Sequence, residues 1–344
     1  MNTIVDKPQK KKNDPPLRWR QIAWLLVRLA FVGGIFYVIF RTTDIDFASL
    51  QAEAAQVRWG WILVALVIWI GAIWVASTRW RILLNVVKPG YGVLPLFAFN
   101  LVGIFYAQFL PGLISGDVVK GYYLARDGAD KVNVLSSALM DRLLGIGVNG
   151  VLGLAALAVS PLVMEMFQLP GYVPVLVFGG VLVALVIGFA LVRFLERFEE
   201  RFPGPIKTVF QPIKLYVGHP VALAGAAAAS IAYFGVWTFA FWALGAAVGI
   251  ADLGFFTMLL ILAAVNIAQF LPLSINGAGL REGAVVALLS AYGVAEEKAL
   301  VFALLIPITG LGLAALGGLL MLTDYRPAAP AGESSPEIPV ADEG

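Results

Sequence analysis

Apolar residues in this chain do not alternate with polar ones; they gather into runs of about 20, the length that crosses a hydrocarbon core at helical rise. Full spans are predicted at about 21–40, 59–78, 133–159, 175–195, 220–248 and 298–322. Two further apolar segments, about 92–116 and 254–277, end in Pro, Gly and small polar residues where a clean helix would continue. Pro111, Gly112 and Gly116 interrupt the first, and Pro272 and Gly277 the second.

Loop charge sets an expected orientation, because Lys and Arg accumulate on the cytoplasmic side. Lys7, Lys10, Lys11, Lys12, Arg18 and Arg20 precede the first span. The loop 196–218 holds Arg197, Arg201, Lys207 and Lys214, whereas 160–174 holds no Lys or Arg. The segment 92–116 then starts and finishes on one side and is too short for two crossings, which predicts a re-entrant helical segment.

The pattern also repeats. Residues 107–116 read AQFLPGLISG and residues 268–277 read AQFLPLSING, with seven of ten positions identical at an offset of 161. The same offset carries spans one, two and three onto four, five and six. The expected fold is therefore all-α, a polytopic bundle of two inverted-topology repeats, each with three spans and one re-entrant broken segment. Its divisions are a basic cytoplasmic arm (1–20), membrane repeat 1 (21–160), membrane repeat 2 (175–322) and a disordered cytoplasmic tail (323–344), rich in Pro, Ala and acidic residues. Such repeats in transporters bring broken helices together near the bilayer midplane, although non-transporting folds use them too.

Composition narrows the function. Hydrophobic residues make up 60% of the chain and charged ones 13%, so a water-facing surface cannot be built. A net charge of +2 gives no basic face for nucleic acid. The chain has no Cys and a single His, His219, at a helix start. Thiolate catalysis is excluded, a His-based metal site is not expected, and no cofactor or metal is expected.

The charges inside apolar segments become the candidates. After the first break come Asp117 and Lys120, where freed amides and a cation can receive an anionic headgroup; the alternative is a pair of interfacial residues. In the second half Asn276 stands opposite Ser115, Arg281 opposite Lys120, and Glu282 follows. Gln108 and Gln269 recur within the shared motif. Asp141 and Arg142 lie well inside span three, where each costs ~2.5–3.5 kcal/mol, so they face protein or a wet cavity. As direct neighbours they point about 100° apart, and each needs a partner elsewhere. Arg79 and Arg81 are expected to close span two by snorkelling into headgroups. Phe194, Phe198 and Phe202 predict a short amphipathic helix on the inner surface.

The RW after span two, QFLPGLISGDVVKGYYLAR, DRLLG within span three and LPLSINGAGLREGAVVALL together resemble the lysylphosphatidylglycerol synthase transmembrane-region family of flippase-like proteins. The resemblance covers about residues 20–322 and implies movement of lipids or lipid-linked groups between leaflets of a bacterial inner membrane. Fused members add a soluble aminoacyl-transferase domain; this chain ends soon after span six and is expected to lack lysyl transfer. The family's usual Glu-Arg pair is Asp141-Arg142 here.

The expected function is thus a lipid flippase or transporter-like protein, multi-pass, with both termini cytoplasmic. Its substrate-binding residues would be Asp117, Lys120, Asp141, Arg142, Arg281, Glu282, Asn276, Gln108 and Gln269, with no catalytic residue. Its partner would be a membrane phospholipid or lipid-linked substrate, with a homo-oligomer or a lipid-biosynthetic partner left open. The rivals are a membrane transferase acting on a lipid-linked substrate and a non-catalytic partner of a lipid or envelope synthase.

Overall fold

The computed structural model describes residues 33–34, 37, 47–109, 115–126, 131–270 and 277–322. Among these the chain is helical, with no strand. The helices are α1 (Phe47–Ala55), α2 (Trp59–Val87), α3 (Val93–Phe109), α4 (Ser115–Arg126), α5 (Lys131–Ala158), α6 (Pro161–Met166), α7 (Val173–Leu195), α8 (Gly204–Val217), α9 (Pro220–Ala247), α10 (Phe255–Phe270), α11 (Leu280–Ala291) and α12 (Glu296–Leu322). Five helices are long and apolar enough to cross a membrane: α2, α5, α7, α9 and α12. The predicted span 21–40 and the tail 323–344 lie almost entirely or entirely outside the described residues.

The helix of span two runs on to Val87, past the predicted end near residue 78, and Arg79 is buried inside the bundle rather than extended towards its surface. The amphipathic stretch predicted around Phe194–Phe202 begins as a 3-10 turn, Glu196–Arg201, and becomes the α-helix α8 only from Gly204.

Helices related by the 161-residue offset pack reciprocally. The central pair, α2 against α9, makes the most extensive contact. Around it α3 packs on α12 and α10 on α5; α3 packs on α4 and α10 on α11; α1 packs on α12 and α8 on α5. At the α3–α12 crossing a Cβ on Gly317 would fall 2.1 Å from the Leu101 carbonyl oxygen, so only Gly lets the two backbones meet. At the α5–α10 crossing Gly153 faces the Ala263 methyl, and the Asn266 amide donates to the Asn149 side-chain oxygen at 3.3 Å.

The largest core cluster lies on the second-half side and is built from Phe241, Leu244, Met258, Ile261, Leu262, Val285, Leu289, Leu300, Phe302 and Ile306, among others. A smaller cluster of Trp80, Leu84, Tyr91, Leu96, Phe99, Leu124 and Val134 lies on the first-half side. Helix α7 packs on α5 and α8 at the edge of the bundle, with no described residue buried and Val175, Leu182 and Val186 all exposed. In a membrane that face meets lipid, so it costs nothing to leave apolar.

Candidate functional site

The site starts at a residue that loop-charge reasoning had placed in the headgroups. Arg79 is 7% exposed, inside the bundle. Its Nε donates to Asp141 Oδ1 at 2.6 Å and its Nη2 to Oδ2 at 2.9 Å, a two-pronged pairing of planar groups. Its Nη1 reaches Ser230 Oγ on α9 at 3.4 Å, and its Cζ lies 5.6 Å from the Tyr233 ring centre. Gly145, one turn beyond Asp141, leaves the room: a Cβ there would sit 3.3 Å from Arg79 Nη1. The guanidinium therefore ties α2, α5 and α9 together.

A second set of charges opens from this pair. Asp117, in the first turn of α4, binds Lys120 at 2.7 Å and also Arg142 of α5. Lys120 Nζ donates to Asn100 Oδ1 on α3 at 3.1 Å and sits 5.3 Å from the Trp80 ring centre. Asn100 in turn donates to Ser77 Oγ at 2.8 Å, and Ser77 donates to the Ile73 carbonyl at 2.7 Å. Close backbone approach sets the position of α4: a Cβ on Gly116 would lie 2.7 Å from the Gly103 oxygen, and one on Gly103 would lie 2.8 Å from Lys120 Cγ. The lysine stem thus lies across Gly103 and delivers its ammonium to Asn100.

Among the described residues, this cluster holds three cations and two carboxylates, a sum of one positive charge. Access is graded along it. Side-chain exposure is 9% at Arg79 and 13% at Asp141, then 14% at Lys120, 20% at Asp117 and 26% at Arg142. Exposure thus rises from the Arg79–Asp141 pair towards Asp117 and Arg142.

The other predicted residues fall elsewhere. Arg281 donates to Glu282 Oε1 from Nε at 3.0 Å and from Nη2 at 2.5 Å, and Glu282 Oε2 accepts the Gly279 N–H at 2.6 Å. Both side chains are almost fully buried, at a separate locus at the start of α11. No hydrogen bond or ion pair among the described residues joins this pair to the first cluster. Gln108 lies beside Gly310 of α12. Gly277, at φ +74°, packs against Gln269, where a Cβ would come within 3.0 Å of its Cα. Asn276, Pro111, Gly112 and Pro272 lie outside the described residues. His219 contacts the Leu215 carbonyl on the exposed side of α8. No group of three or more His, Asp or Glu able to hold a metal occurs among the described residues.

Sequence reasoning did not assign Arg79, Ser77, Asn100, Trp80, Ser230 or Tyr233 to the site. One signal was present: Asn100 stands alone in the apolar run FAFNLVG, where an amide needs a partner. Comparison with known proteins adds the last observation. The family model described as lysylphosphatidylglycerol synthase TM region matches residues 25–318. No curated protein matches the chain significantly.

Proposed function

The chain belongs to the lysylphosphatidylglycerol synthase TM-region family, and from that premise we propose that it passes an anionic phospholipid or lipid-linked group between the leaflets of a membrane. The observation that carries this reading is the buried charged cluster, whose two cations Lys120 and Arg142 sit at its more accessible end. Charges cost free energy inside a bilayer and lie where they serve an ion or headgroup path. A phosphate fits a lysine and an arginine held on separate helices.

The reciprocal packing supports two inverted repeats, about 21–160 and 175–322. Helices α3 and α10, at 17 and 16 residues, reach only ~25 Å and fall short of a hydrocarbon core of ~30 Å, which supports re-entrant segments rather than crossings. Transport would proceed by rocking of one repeat against the other, tails staying in lipid. The loop charges support cytoplasmic termini and, for a bacterial protein, the inner membrane. Asp117, Asp141 and Glu282 are each bound to a cation, an arrangement better suited to holding a ligand than to proton transfer.

Reconstitution in liposomes with labelled phospholipids tests the reading. Leaflet exchange is expected to exceed that of protein-free vesicles, and Arg142→Ala to lower it about tenfold, the effect of losing roughly 1.4 kcal/mol of headgroup binding. Equal exchange with and without protein, across several headgroups, would overturn it.

A further inference from the structure

We propose that Asp117 is a built-in competitor for the headgroup: its carboxylate occupies the anion seat between Lys120 and Arg142 and must be displaced before a phosphodiester can bind. This rests on the reading of the cluster as an anionic-headgroup site and deepens it. Three observations carry it. Asp117 is bound by both cations at once, as a phosphate oxygen pair would be. The seat survives its departure, because Lys120 stays oriented by Asn100 Oδ1 and the Trp80 face, and Asn100 is itself anchored through Ser77. The neighbouring carboxylate is committed elsewhere, since Asp141 holds Arg79 through both oxygens.

A displaced Asp117 also keeps a favourable place. It stands in the first turn of α4, where the helix dipole favours an anion. Charge sets the class of ligand. The five described groups sum to one positive charge, which a monoanionic phosphodiester neutralises and a dianionic phosphate overshoots. Asp117 thereby holds the empty site together and sets a threshold that only a well-seated anion crosses.

The test measures binding of short-chain phosphatidylglycerol, short-chain phosphatidylcholine and inorganic phosphate to the full chain in detergent by calorimetry. Asp117→Asn and Asp117→Ala are compared with wild type, Lys120→Ala and Arg142→Ala, and the fold of each is checked by thermal unfolding. With the competitor gone, Kd for phosphatidylglycerol is expected to fall roughly tenfold, the gain if Asp117 fills the seat about nine-tenths of the time. Phosphatidylcholine and inorganic phosphate are expected to bind wild type more weakly than phosphatidylglycerol does, and the Asp117 variants, with one more positive charge, are expected to narrow the gap for inorganic phosphate. Tighter binding of inorganic phosphate than of the lipid to wild type would overturn the assignment to a lipid phosphodiester.

Failures separate cleanly. Phosphatidylglycerol binding that Lys120→Ala and Arg142→Ala abolish, but that the Asp117 variants leave unchanged or weakened, overturns the competitor and leaves the site reading intact. Absence of binding to wild type and to every variant overturns both. Loss of folding in both Asp117 variants shows a carboxylate needed for structure, and also overturns the competitor.

Discussion

Offsetting the first half of the chain by 161 residues lays a polar cluster over an apolar core. Arg79 falls on Ala240, Trp80 on Phe241, Asn100 on Ile261, Asp117 on Ala278, Asp141 on Phe302 and Arg142 on Ala303. Where the first half has a two-pronged ion pair, the second has Ala240 and Phe302, both fully buried, and the Phe302 ring packs 5.9 Å from that of Phe241, the counterpart of Trp80. Lys120 alone keeps its charge, as Arg281, and there the countercharge is simply the next residue, Glu282 in place of Gly121. Both versions close equivalent sets of helix contacts. The helix contacts equivalent to those around the Arg79–Asp141 pair therefore close without charge, and the first half carries an insertion cost, ~2.5–3.5 kcal/mol for each mid-span charge, that those second-half positions avoid.

The largest effect is expected from breaking the inner pair unevenly. Arg79→Ala strands Asp141 in the bundle, and Asp141→Ala strands Arg79; each is expected to cost ~3–5 kcal/mol, read as a large drop in thermal unfolding temperature in detergent. The combined Arg79→Ala, Asp141→Phe chain copies the second half. It is expected to recover most of that loss, because a buried ion pair replaced by packed apolar groups is often neutral or better. A combined variant as unstable as either single one would break the comparison, making the charges part of what holds the helices together.

The two halves also differ in how much of them a sequence reveals. Span lengths are written locally in runs of apolar residues, and the five long helices follow them closely. Pairing is not local. Arg79 and Asp141 lie 62 positions apart, and nothing near Arg79 distinguishes a guanidinium reaching headgroups from one reaching a carboxylate on another helix. The clue lay in span three: Asp141 and Arg142, adjacent and unable to face each other, each required a partner, and the structure supplies Arg79 and Asp117. The second-half pair was legible in a different way: Arg281 recurs at the same distance after the break as Lys120, and the adjacent Glu282 that binds it has no counterpart at Gly121.

A middle-sized effect separates the two reciprocal crossings. At α3–α12 the contact is backbone on backbone, and Gly317→Ala would press a methyl into the Leu101 carbonyl. Neither helix can yield without moving along its length, so a loss of ~1–3 kcal/mol is expected. The equivalent residue at α5–α10 is Ala156, itself fully buried, so that crossing already accommodates the methyl. Gly150→Ala, exposed on α5 with open space around it, controls for the change in helix propensity and is expected to stay within about 1 kcal/mol of wild type, on the favourable side. Equal losses at Gly317 and Gly150 would remove the distinction.

The smallest effect concerns the Asn149–Asn266 contact at α5–α10. Asn266 Nδ2 donates to Asn149 Oδ1 at 3.3 Å and to the Leu262 carbonyl of its own helix at 3.0 Å. The corresponding first-half and second-half residues are Phe105 and Gly310. Because Asn266 keeps its carbonyl partner when Asn149 is removed, Asn149→Ala does not strand a buried donor and loses only one long interhelical bond. A double-mutant cycle with Asn149→Ala and Asn266→Ala is expected to give a coupling near ~0.6 kcal/mol, typical of such bonds within membrane bundles. A coupling above ~2 kcal/mol would mean that one crossing is held by an amide pair and the other by glycine contact, so that the two halves differ in how they are joined as well as in charge. A coupling near zero would leave packing alone responsible for both crossings and confine the asymmetry to the charged cluster.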